Sequence, residues 1–183
     1  MSAHEKPWRA VLKFWFEELE PRQHFVKDEA LDGVIRERFE HTHQQACDEQ
    51  LQGWRQNADG QLAEIIVLDQ FTRNLYRNDP RAWAQDKLAL QLARAMVQTG
   101  SDQLISAKRR PYVYMPYMHA ESLDAQNESV DLFTALGSES HLKFAHLHRN
   151  VIKSFGRFPY RNDLLARVST ADEIAYVEKH GSF

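Results

Sequence analysis

The chain has 183 residues, of which 43% are hydrophobic and 11% aromatic, enough to bury an interior without disulfide or metal staples. Lys and Arg number 23 against 26 Asp and Glu, a net charge of −3 that favours neither nucleic-acid binding nor an acidic solvating tail. Cys47 is the one cysteine, which excludes an intrachain disulfide and Cys₂ or Cys₄ zinc sites.

The N-terminus, Met1 to Trp8, lacks the apolar centre of a signal peptide, and Pro7 suits the first position of a helix. Trp8, Val11, Leu12, Trp15 and Leu19 then recur at spacings of three and four until Pro21. Asp28 is placed to cap a second helix carrying Leu31, Val34, Ile35, Phe39 and Ala46, expected to run out near Gly53-Trp54. Asn57-Ala-Asp59-Gly60 reads as a turn. After it, Leu62 to Leu75 is apolar on nearly every side and long enough for a buried helix. Its longest apolar run, Ile65 to Leu68, is far too short to cross a bilayer, so the expected compartment is a reducing cytoplasm.

Asp79-Pro80 opens a fourth helix with a stripe of Trp83, Leu88, Leu92 and Met96, closed by Gly100. Ser101 to Pro116, with Lys108-Arg109-Arg110, Tyr112 and Tyr114, reads as irregular and solvated. Pro116 then begins a helix with Leu123, Val130, Phe133 and Leu136 inward, ending at Gly137. Ser138 caps the next, which Gly156 terminates, and Thr170 with Glu173 has capping-box spacing before the last. The expectation is an all-α chain of about seven helices in antiparallel hairpins, forming a single helical domain over 1–183.

Four stretches carry a resemblance. They are Val11-Leu-Lys-Phe-Trp-Phe16, Leu68-Asp-Gln-Phe-Thr-Arg-Asn-Leu-Tyr-Arg77, Tyr117-Met-His-Ala-Glu-Ser122, and Phe155-Gly-Arg-Phe-Pro-Tyr-Arg-Asn162 followed by Arg167-Val-Ser-Thr170. Together they resemble the bacterial domain-of-unknown-function family 924 over nearly the full length. That resemblance implies a tetratricopeptide-like helical fold and no assigned activity. Phe71-Thr72-Arg73 departs from the proline the family places between Phe and Arg.

Several polar residues sit in apolar or constrained surroundings. Asp69 lies in the most apolar helix with Arg73 four residues on, either a structural ion pair or one wall of a pocket with Asn74. His119 is expected in the first turn of the helix begun by Pro116, where the dipole favours a neutral ring; with Glu121 it is a general-base candidate, and Gln126 is expected on the same face. A capping or core histidine is the alternative. Arg157 and Arg161 flank the tight Phe158-Pro159 turn and suit anion recognition. Glu40-x-x-His43 lacks the second copy a di-iron bundle needs and reads as an exposed helix face; His141, His146 and His148 lack zinc spacing. Glycine-loop and nucleophile-elbow motifs are missing.

Two functions follow as expectations. The first is a cytoplasmic pocket protein for a small anionic metabolite, extending to an enzyme of unassigned reaction, with catalytic candidates His119, Glu121 and Asp69 and binding residues Arg73, Asn74, Gln126, Arg157 and Arg161. It needs no metal, cofactor, nucleic acid or membrane. The second is a helical-hairpin adaptor for a protein partner, anchored by tryptophans such as Trp8, Trp15, Trp54 and Trp83. Patterning does not separate an oligomer face from a core.

Overall fold

Pro7 heads the first helix, α1 (Trp8–Lys13), in a computed structural model that describes residues 6–181. The reading of the N-terminus as leaderless falls mostly on residues 1–5, which lie outside the described residues. α1 widens at its end into a π-helical turn over Phe14–Glu18. Asp28 caps α2 (Glu29–Cys47), its carboxylate accepting from the Ala30 and Leu31 N–H groups.

α2 stops at Cys47 and does not reach Gly53-Trp54. Glu49 turns the chain at φ 52°, and a 3-10 turn over Gln52–Gln56 carries Trp54 inward. Asn57, read from sequence as a loop residue, is the N-cap of α3 (Ala58–Ile66). Gly60 is required there, since a Cβ would stand 2.2 Å from the Trp54 carbonyl oxygen.

α3 continues unbroken through a second π turn, Val67–Phe71, into α4 (Thr72–Leu75), and is the buried helix expected. A π turn displaces backbone carbonyls from their helical partners. Side chains take three such groups here: His24 Nε2 donates to Trp15 O, Thr72 Oγ1 to Leu68 O and Arg73 Nη1 to Asp69 O. The two π turns meet through aromatic rings, with Trp15 5.6 Å and Phe14 6.1 Å from Phe71.

A 3-10 turn, Pro80–Trp83, precedes α5 (Asp86–Gln98), which ends before Gly100 at φ 73°. The inner stripe is Ala89, Leu90, Ala93 and Met96, rotated from the one expected because α5 starts after Trp83.

The stretch before Pro116 is the main correction. Pro111 begins α6 (Pro111–His119), and Pro116 lies inside it. Tyr112 to Met115, Tyr117 and Met118 are all buried. An all-round buried helix has no amphipathic period to detect. The chain then breaks, and Ser122 caps α7 (Leu123–Leu136), which leaves Leu123 exposed. Gly137 in the left-handed region links α7 to α8 (Glu139–Phe155), an antiparallel pair in which Phe133 stacks on His141 at 5.5 Å. Gly156 ends α8, and Thr170 and Glu173 form the expected capping box of α9 (Ala171–His180).

With α3 and α4 counted as one rod there are eight α-helical rods among the described residues, and no strand. None of these helices is long and apolar enough to cross a membrane. The chain divides into two compact units, Met1–Arg77 with Arg81–Val113, and Asn78–Pro80 with Tyr114–Phe183.

Candidate functional site

In the C-terminal unit four of the residues singled out from sequence gather at the end of α6. His119 is its last residue, half-buried. It therefore lies at the negative end of the helix dipole, and the first-turn argument for a neutral ring does not apply. The last carbonyls of a helix need outside donors. Gln126, fully buried on α7, supplies them: its Nε2 donates to Met118 O at 2.6 Å, Ala120 O at 2.9 Å and Tyr117 O at 3.4 Å. Arg161 Nη2 donates to the remaining one, His119 O, at 3.0 Å. The guanidinium of Arg161 is itself buried over the Phe158 ring at 4.6 Å. Thus the backbone on both sides of His119 is fixed, and its ring stands 6.2 Å from that of buried His148.

Glu121 follows two residues later and serves as a clasp. Its Oε1 accepts the Phe158 N–H at 2.7 Å, and both oxygens accept from Arg167 at 2.7 and 3.0 Å. Burial pushes the Glu121 carboxyl upward, but Arg167, the Phe158 N–H and the charge of Arg161 outweigh it and hold the group below its ordinary value. A carboxylate so stabilised is a poor proton acceptor.

Arg157 is engaged by Glu173, which is 2% exposed, through bonds of 2.7 and 2.9 Å, and by the Val168 carbonyl. The paired guanidinium holds the Glu173 carboxyl down to about 2, against the opposing effect of burial. The motif 155–162 is thereby explained locally. Gly156 reverses the chain, Arg157 reaches α9, the Phe158 backbone reaches Glu121, and Arg161 reaches α6.

The N-terminal unit holds the other three residues. Asp69 and Gln70 are buried in the second π turn, with Gln70 Nε2 donating to Asp69 Oδ2 at 2.5 Å. Arg73 lies 3.3 Å from Asp69 Oδ1 and 2.8 Å from Asp86 Oδ1, so the expected ion pair is a carboxylate–guanidinium–carboxylate bridge. Asn74 donates to Asp32 Oδ1 at 2.8 Å, and Arg77 pairs with the same carboxylate.

Sequence reasoning missed Asp86 and Asp32 and gave no partner to Arg167, because separation along the chain leaves no local signal for such pairs. It also placed His43 on an exposed face. His43 is buried, and its ring nitrogen lies 2.7 Å from Thr72 Oγ1. The Thr72 proton already goes to Leu68 O, so His43 Nε2 is the donor to Thr72, and Cys47 Sγ lies 3.6 Å from both ring nitrogens. Burial lowers the His43 pKa and raises that of the Cys47 thiol. Among the described residues no three His, Cys, Asp or Glu side chains gather as a metal ion requires.

The family described as "Bacterial protein of unknown function (DUF924)" matches residues 11–181. The chain belongs to that family. A solved structure, of a protein of unknown function from Agrobacterium tumefaciens, is similar at 36% identity and a TM-score of 0.90, covering 94% of this chain and 97% of that one. No curated protein matches.

Proposed function

We propose that this DUF924 chain is a cytoplasmic binding protein for a small metabolite carrying an anionic group, with His119 as the side chain presented to it. The observation that supports this reading is the clamp on His119. Two buried polar side chains, Gln126 and Arg161, are spent on holding one short backbone stretch around a half-buried imidazole. Buried polar groups are costly, and a site that must hold a group in one geometry is where that cost is offset. Arg161 supplies positive charge on the rigid turn beside it, whereas the charge of Arg157 is matched by Glu173. Asp69, on a π turn of the kind that recurs at functional sites, forms the second set of candidates in the N-terminal unit with Arg73 and Asn74 of the α4 segment that follows. The tetratricopeptide-like arrangement remains part of the proposal. If the protein is an enzyme, proton transfer at His119 is the chemistry this arrangement offers; Glu121 contributes by holding the turn.

The adaptor reading has less support. Trp8, Trp15 and Trp54 are buried, so three of its four anchors are core residues. A thermal-shift screen with small carboxylates and phosphates tests the binding proposal. A specific ligand raises the melting temperature of the wild type and not of His119→Ala. An unchanged melting temperature across the panel, or an equal rise in both proteins, contradicts it.

A further inference from the structure

Gln126 uses its amide nitrogen on α6, yet no protein group pairs with its Oε1. One turn along α7, Ser129 Oγ is also without a protein partner, and both residues are fully buried. Residues three apart share a helix face, with Cβ atoms about 5–6 Å apart. Side chains lean toward the helix N-terminus, so Ser129 leans toward Gln126. The Phe133–His141 stack sets the register of the α7–α8 pair; two turns further from the link on each helix, Gln126 comes opposite His148. His148 is buried, and its Nδ1 proton goes to the Phe144 carbonyl at 2.8 Å. The Gln126 amide oxygen is an acceptor and the Ser129 hydroxyl can accept as well as donate, and leaving both bare in the interior would carry the full desolvation cost of each.

We infer that Gln126 Oε1 and Ser129 Oγ together form a buried subsite for one compact hydrogen-bond donor. The donor is a water molecule or an ammonium-type nitrogen, bonded to both oxygens. Gln126 then works in two directions, its NH₂ fixing the backbone beside His119 and its oxygen anchoring the bound donor. This inference does not rest on metabolite binding at His119 and stands or falls separately.

The test is a crystal structure at atomic resolution together with melting curves of wild type and Ser129→Ala. The expected result is a density peak within hydrogen-bonding distance of both oxygens, and a Ser129→Ala melting temperature lower by about 2–4 °C. Wild-type melting curves are also recorded in ammonium chloride and in sodium chloride at equal ionic strength. A higher wild-type melting temperature in ammonium chloride than in sodium chloride identifies an ammonium-type nitrogen; equal values identify water. Removing a truly bare hydroxyl would instead leave Ser129→Ala as stable as wild type or more so. That outcome, or the lack of the peak, overturns the subsite.

Discussion

Gln126 and Arg161 reach the same helix end from different elements and divide its carbonyls between them. Gln126 takes those of Tyr117, Met118 and Ala120, and Arg161 takes that of His119. The geometry of His119 is thus set by residues distant in sequence, one on α7 and one on the turn after α8.

Replacing Gln126 by Leu keeps the volume and removes the donors. Three buried carbonyls then lose a partner, and the expected loss is about 2–4 kcal/mol in urea denaturation, with increased hydrogen exchange around 117–126. His119→Ala, which leaves the clamp intact, is expected to cost less than about 1 kcal/mol.

The Arg157–Glu173 pair makes an acid transition. The Glu173 pKa is about 2 in the folded chain, against an ordinary value of 4.5. A depressed carboxyl contributes stability above its unfolded pKa, and that contribution is lost as pH falls through the window from 4.5 to about 2. Urea midpoints measured across this window should fall more steeply for wild type than for Glu173→Gln.

At the alkaline end, Tyr112 donates to His24 Nδ1 at 2.6 Å, and burial pushes its pKa from 10 to about 12. The folded chain holds this proton where the unfolded chain has released it. Stability should therefore fall as pH rises from 10 to about 12, and Tyr112→Phe should flatten that fall while lowering stability at neutral pH by about 1 kcal/mol.

Gly60→Ala tests the packing of α3 on the Gln52–Gln56 turn. With a Cβ only 2.2 Å from a backbone oxygen, the helix start must shift, at a cost of about 1–3 kcal/mol or more, read as a lower melting temperature.

Much of the fold was legible because caps and glycines are local signals. Asp28, Thr170, Gly137 and Gly156 act as the sequence implies. α6 was not, since a helix buried on every side has no periodic stripe and Pro116 suggested a start where the helix was already running. That error moved His119 to the wrong helix end. The candidate residues were found through their unusual company, such as Asp69 in an apolar run. Their partners were not, because the pairing of Glu121 with Arg167 or Arg73 with Asp86 depends on tertiary structure alone.

A clamped His119 that faces a small anionic metabolite should carry that molecule through purification. Native mass spectrometry of the protein purified from its own host tests it most directly. The expected spectrum shows a small anionic mass bound to the wild type and lost from His119→Ala. A wild-type spectrum of the bare chain, with no melting-temperature response to any carboxylate or phosphate, would contradict it.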